Sequence, residues 1–572
     1  METERTEVLI AGGGPCGLML AIELGRRGVS CILLDEKPGT AFNPQANATQ
    51  ARTMEHFRRV GLAAEIRAQG LPPDHPTDIA YFTRFLTHEL ARFRLPSSRD
   101  ATQVIRSLSG DWSAAELPHR VSQKYVEAVL RRHAETFTTV SLRYAWRMAS
   151  FHDDGDGIAA EAMPLPDGAP RTIRASYLMG ADGARSAVRA ALGFGWTGET
   201  GTSRGFMGGR MCAVYLRARS FDAASPNPPA WMKVTVNAER RALLAAVDGR
   251  GEYAFHAQLQ PGEDEARVTE ADARRFVREA MGRDLKVEVL SHGFWTAGHA
   301  LVAEGMSRGR VFLGGDAAHL FTPTGGLGYN TAVEDAVNLG WKLHAILRGQ
   351  AGPALLDSYA AERRPLALRN TGYARAFADS LGLFHPDPAL EDDSEAGEAS
   401  RRAAGEYLAD HARREFNIPG VTFGGRYDGS PVIVPDGTAP PPDAANTYVP
   451  TACPGGRPPH LWLDDGRSLY DAFGRDWTLL RTRSDAGEAF AQAAARLGAD
   501  LAVLDVPAAR DLYAADLALI RPDGIVAWRG DADADARKVM DRVLGRVTAS
   551  APPTPSPRDA IGPADRAPPT GR

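Results

Sequence analysis

Gly12, Gly14 and Gly17 keep the spacing G-x-G-x-x-G between an apolar run, Val8 to Ala11, and a helix-like stretch, Leu18 to Arg27. A second apolar run, Cys31 to Leu34, ends on Asp35, with Glu36 beside it. This order reads as a dinucleotide-binding turn. Glycines admit positive φ and let pyrophosphate lie on bare N–H groups at a helix N-terminus, and an acid about 20 residues on takes the ribose hydroxyls. NAD and FAD are both compatible with these residues.

Two more glycine–acid turns follow apolar runs. Ser176 to Met179 runs into GADG, which holds Asp182 and Gly183, and Val311 to Leu313 runs into GGDAAH, which holds Asp316 and His319. Behind the latter come PTGGLGYN, Pro323 to Asn330, and a helix expected from Thr331. His319 reads as a hydrogen-bonded structural group. Gly201 to Gly205 fits G-x-S-x-G, but no helix pattern follows it, so it reads as a loop.

The elements that must position these turns are α/β in character. Helices are expected at Arg52 to Val60 and Ser122 to Glu135. Short alternating runs (Cys212 to Leu216, Met232 to Val236, Ala242 to Val247, Lys286 to Leu290) predict an antiparallel sheet, interrupted by a helix from Glu270 to Met281 with a Thr269/Asp272 capping box. The expected layout is a nucleotide-binding domain in two parts, 1–200 and 293–392, with a substrate sheet inserted at 201–292. A Pro- and Ala-rich linker follows at 393–444, then a C-terminal domain at 445–547 and a disordered tail at 548–572. The C-terminal order of strand, helix, strand, hairpin and helix is that of a thioredoxin-like fold. It lacks a cysteine pair, so packing or homodimer formation is its expected role.

At 572 residues the chain has room for about three domains. A net charge of -5 with interspersed signs gives no basic stripe for nucleic acid. Cys16, Cys31, Cys212 and Cys453 are dispersed, so neither a disulfide framework nor a metal site is expected. No apolar stretch approaches bilayer length, and a cytoplasmic protein without a membrane partner is expected.

The three turns, with ARTME at Ala51 to Glu55, Gln123 in RVSQKYVE, LLDSYAAERRP at Leu355 to Pro365 and RPDGIVAWRG at Arg521 to Gly530, resemble one family over nearly the whole chain. It is the single-component FAD-dependent aromatic hydroxylases, the para-hydroxybenzoate hydroxylase and phenol hydroxylase family. The resemblance implies a discontinuous Rossmann-like FAD domain, with Asp35 on the ribose, Asp182 near the pyrophosphate and Asp316 on the ribityl chain. Gln45, Gln123, Pro323, Gly326, Leu327, Gly328 and Asn330 would face the cofactor. The amides of Leu327 and Gly328 would lie by the flavin N1/O2 edge, stabilising reduced flavin as an oxyanion hole does. It further implies NADPH or NADH as transient reductant, and O2 delivered through a flavin C4a-hydroperoxide to a phenolic or polycyclic aromatic ring.

Some positions depart from the family pattern. Gln45 stands where Arg is common, Leu327 replaces a common Gln and Tyr329 a common Met. Asn47 stands where phenol hydroxylases place a carboxylate base, and an amide takes no phenolic proton. No residue is therefore assigned as catalytic. Trp231, Phe255, Phe294 and Trp295 are candidates to line a flat pocket, and Arg210 to pair a substrate anion. Baeyer–Villiger or epoxidising chemistry on the same scaffold, and a flavin-binding interaction protein without turnover, are the rival readings.

Overall fold

A computed structural model describes residues 3–200, 204–483 and 485–547. The tail at 548–572 and Gly201, Thr202 and Ser203 of the G-x-S-x-G segment lie outside the described residues.

The strand Thr3–Ala11 ends in a run of fully buried residues because it is central in a largely parallel sheet covered on both faces. It pairs in parallel with Cys31–Asp35 on one side and Arg171–Gly180 on the other. Val311–Leu313 then joins Arg171–Gly180 in parallel, and Val140–Tyr144 joins Cys31–Asp35. A strand more than 300 residues along thus completes the sheet begun at the N-terminus, and the nucleotide-binding half is discontinuous. The helices Pro15–Gly25 and Gly328–Leu347 pack against each other over it.

The second sheet runs in the order Glu288–Ala297, Gly209–Arg217, Glu252–Gln258, Ala242–Ala246, Met232–Thr235, Ile79–Phe82, Glu89–Phe93. It is larger than the insertion expected at 201–292. Ile79–Phe82 and Glu89–Phe93 come from the preceding segment, and the last strand reaches Ala297. Ile79–Phe82 pairs in parallel with Met232–Thr235, a long-range pairing that no local pattern announces. The helix Glu270–Met281 forms with its Thr269/Asp272 capping box, as the sequence predicts.

The stretch 393–444, expected as linker, instead carries the helix Glu395–Phe416, capped where Ser394 accepts from Gly397 N. Ala404, Leu408 and Ala412 recur every fourth residue and are buried, giving the helix one apolar stripe. It packs against Glu89–Phe93. Composition alone obscured that period.

In the C-terminal domain Trp477–Arg481 pairs in parallel with Leu501–Asp505 and antiparallel with Leu517–Ile520, which pairs with Val526–Gly530. Buried ions join this domain to the rest. Glu362 accepts from Arg521 Nη1 at 2.6 Å, Lys342 Nζ at 2.6 Å, Asn338 Nδ2 at 2.7 Å and Ser430 Oγ at 2.6 Å. Burial opposes its charge, but Arg521 and Lys342 hold its carboxyl far below the ordinary range. Arg457 likewise pairs with Glu55 at 2.6 Å, and Arg27 with Asp476 at 2.8 Å. Among the described residues no helix is long and apolar enough to cross a membrane.

Candidate functional site

The three glycines of the first turn serve different ends. A Cβ on Gly12, whose φ is +111°, would stand 2.1 Å from Ala181 O, and one on Gly17 would stand 2.0 Å from Gly12 O. These two let backbone segments touch. A Cβ on Gly14 would meet no protein atom within 4 Å, although Gly14 caps the helix Pro15–Gly25, whose first-turn N–H groups point outward. The middle glycine therefore borders open space at a helix N-terminus, a cradle suited to pyrophosphate. Asp35 sits at the end of its strand and accepts from Gly13 N at 2.6 Å and Lys37 N at 2.7 Å, which fixes the turn beside it. Glu36 lies exposed at the rim, paired with Arg147 at 3.0 Å.

The second turn uses its acid locally. Asp182 accepts from Ser186 Oγ at 2.5 Å and Val188 N at 3.1 Å, capping the short helix Ala187–Ala191, and Gly183 next to it has φ +83°. Asp316 is different. It stands on the single turn Gly315–Ala317, deep between packed elements yet open to solvent, and the crowding raises its carboxyl above the ordinary value. Asp335, which the sequence did not single out, anchors that turn. Fully buried, it accepts from Gly315 N at 3.0 Å and Arg363 Nε at 2.8 Å, and lies 2.7 Å from His319 Nε2. Burial opposes ionisation, but His319 and Arg363 keep its carboxyl below the ordinary range. His319 is thus structural.

Gly325 and Gly326, at φ +67° and +62°, fold the next loop back before the helix Gly328–Leu347 begins, three residues earlier than Thr331. Gly325 N donates to Glu415 at 2.9 Å, and Gln50 Nε2 donates to Gly325 O at 2.7 Å. Asn330 spends its side-chain amide on the loop and its neighbouring segment. Its Nδ2 donates to Ala48 O at 2.9 Å and Gly326 O at 2.5 Å, and its Oδ1 accepts from Gln50 N at 2.8 Å. Its amide is used to clasp the loop. Leu327 is 4 % exposed against Ala374 and Phe377, whereas Pro323 is exposed. Among the described residues no acceptor takes the N–H of Leu327 or Gly328.

Gln45 is exposed, and Gln123 turns its side chain along its own helix to Glu127 at 2.6 Å while its N–H donates to Ala46 O at 2.7 Å. Asn47 is half-buried, its Oδ1 sealed without a partner among the described residues.

Strand parity decides which residues of the second sheet face this loop. Phe255 stands opposite Val214 and Leu244, and Phe294 opposite Cys212. That face packs toward Glu270–Met281, with Phe255 fully buried and Phe294 half-buried against the same core. Trp231 is 4 % exposed in the core, under the Arg120 guanidinium. Arg210 is partly exposed, paired with Glu265 and donating to Thr296 Oγ1 at 2.9 Å, on the sheet face opposite His256.

The other face carries Met211, Ala213, Tyr215, His256 and Trp295. It abuts the nucleotide-binding half: Lys124 Nζ donates to Tyr215 Oη at 2.7 Å, and Ser291 Oγ lies 2.6 Å from Asn43 Oδ1. His256 Nδ1 accepts from Trp295 Nε1 at 3.1 Å. An indole only donates, so the imidazole proton is on Nε2, for which the described residues provide no acceptor. Burial pushes His256 down to about 4, leaving it neutral at neutral pH. Its one sequence signal was its alternation with Ala254 and Gln258.

Comparison with known proteins agrees with this geometry. The model of the FAD binding domain family matches residues 5–373, and that of the aromatic-ring hydroxylase C-terminal domain matches residues 451–548. The chain is 32% identical to a tetracenomycin B2 monooxygenase-dioxygenase from Streptomyces olivaceus, with 96% of this chain and 100% of the relative covered. It superposes on RebC with bound 7-carboxy-K252c at a TM-score of 0.85 and 34% identity, over 96% and 100% of the two chains. For aklavinone-11 hydroxylase with FAD and aklavinone the values are 0.79, 28%, 95% and 100%.

Proposed function

The chain belongs to the FAD-dependent aromatic-ring hydroxylases and is a flavoprotein monooxygenase; on that footing we propose that it uses NAD(P)H and O2 to hydroxylate a fused-ring phenolic substrate lying between the flavin loop and the second sheet. What supports the reading is two sets of donors without an acceptor among the described residues: the N–H groups of Leu327 and Gly328 on the flavin loop, and His256 Nε2–H on the sheet face that abuts the nucleotide-binding half. Bound FAD supplies hydride acceptance and oxygen activation.

The chain's own residues supply the rest. Gly14 and the helix behind it would take the pyrophosphate, Asp35 the ribose, and Asp316 the ribityl hydroxyls. The Leu327 and Gly328 amides would stabilise negative charge at the ring edge without reorganising. His256, neutral and fixed by Trp295, would donate to a substrate oxygen. The apolar floor of Met211 and Ala213 would exclude water.

The test is NADH and NADPH oxidation by the FAD-loaded protein with simple phenols and polycyclic quinones, with each product weighed for added oxygen. A substrate that stimulates oxidation and gains one oxygen on a ring carbon supports the reading. Ring expansion or an epoxide would replace it with the Baeyer–Villiger or epoxidising alternative, and peroxide with every compound would count against turnover.

A further inference from the structure

Arg120 is 4 % exposed, yet among the described residues its guanidinium forms neither an ion pair nor a hydrogen bond, and Nη1 is sealed from solvent. Its carbon lies 4.6 Å from the centre of the Trp231 ring. The surrounding stretch runs antiparallel to the segment that clasps the flavin loop: Thr49 pairs with His119, and Gln123 N donates to Ala46 O. Side chains alternate along such a stretch. His119 turns toward Ile66 and Gln69, and Arg120 the other way, toward the sheet.

Three further buried polar atoms on these paired segments lack partners, Asn47 Oδ1, His119 Nε2 and Ser122 Oγ. The acid whose field reaches Arg120 is Glu415, which holds Gly325 of the flavin loop but lies beyond ion-pair distance. Burial lowers Arg120 to about 10, so it is a cation at neutral pH. A buried ion without a counter-ion is strongly unfavourable, and the arrangement becomes favourable when an anion enters.

We propose that Arg120 is an anion-binding subsite that receives an ionised oxygen of the aromatic substrate, a carboxylate or a phenolate, and thereby orients the ring over the flavin loop. This deepens the hydroxylase reading and rests on it. A guanidinium fork suits a carboxylate in two parallel hydrogen bonds or a phenolate in one, and its stacking on Trp231 fixes the plane of approach.

The experiment titrates the FAD-loaded protein at pH 7, following the flavin absorbance, with three probes: 1-hydroxy-2-naphthoate, which carries a carboxylate; 2,4-dinitro-1-naphthol, an ionised phenol; and neutral 1-naphthol. Arg120→Met is expected to weaken one or both anions by about tenfold or more and 1-naphthol by less than about threefold, and Arg120→Lys to restore part of the loss. Whichever anion suffers more identifies the group bound. Removing an uncompensated charge should also raise the ligand-free Tm by about 1–2 °C, the reverse of losing a structural ion pair. Equal losses for all three probes, loss of FAD affinity in place of anion affinity, or a lowered Tm with unchanged discrimination would overturn the proposal. So would a wild-type protein without preference for the anions. In that case NAD(P)H oxidation stimulated by 1-naphthol, with oxygen gained, would leave the hydroxylase reading standing.

Discussion

The nucleotide cradle and the second sheet are specified by different means. In the cradle the backbone is the recognition surface: Gly12 and Gly17 are required by contacts of 2.1 and 2.0 Å that a Cβ would make, and Gly14 by the space it leaves. In the sheet the backbone is a neutral scaffold. Parity decides that His256 and Trp295 stand on the face that abuts the nucleotide-binding half while Phe255 and Phe294 stand on the other. Residue type therefore carries function in the first region, and register carries it in the second.

The sharpest way to break the contrast lies within the glycine turn. Gly12→Ala or Gly17→Ala should cost about 3 kcal/mol or more and leave little folded protein, because the new Cβ meets backbone oxygen. Gly14→Ala should leave the Tm of the FAD-free protein within about 2 °C and weaken FAD about tenfold or more, read by flavin retention during dialysis. If all three behave alike, the middle glycine has no separate role.

Next in size is Asp335→Asn, which breaks the buried link from His319 and Arg363 to the Gly315 turn and should cost about 3 kcal/mol. Because the folded carboxyl lies below its unfolded value of 3.8, the stability it confers is fully present above that pH and is lost as pH falls through the folded value. Tm measured from pH 7 to pH 3 should show the variant and wild type converging only at the acid end. A constant gap would rule out Asp335 ionisation as the cause.

The smallest effects test the sheet. His256→Phe should lower kcat/KM about tenfold with FAD content unchanged, while Arg210→Ala should change it by less than about twofold, as expected for a surface pair. Steady-state kinetics with one accepted substrate distinguishes them, and an Arg210 effect as large as that of His256 would reverse the assignment of faces.

The same contrast explains what was legible beforehand. The Rossmann-like half was readable because each glycine turn carries its own local signature, and Val311–Leu313 ended where its apolar run ended. The clasp that Asn330 makes on the loop was not legible, because its hydrogen bond with Gln50 crosses 280 residues of chain. Asp335 was missed for want of a local pattern, since its partners lie 16 to 28 residues away. The helix Glu395–Phe416 was hidden by an acidic, Ala-rich composition although its fourth-residue stripe was present. Pairing of Ile79–Phe82 with Met232–Thr235 could not be read locally at all.

The Glu362 cluster has a consequence for how such proteins can be recombined. Its acid and its lysine belong to the flavin half, and its arginine to the C-terminal domain. A chimera with a crossover between 362 and 521 that did not import a matching arginine would bury a carboxylate short of a counter-ion. Lys342 and Asn338, which hold that carboxylate, stand on the helix whose first residue is Gly328. Swapping the C-terminal domain would therefore be felt at the opposite end of that helix, so the two parts are exchangeable only as a matched pair.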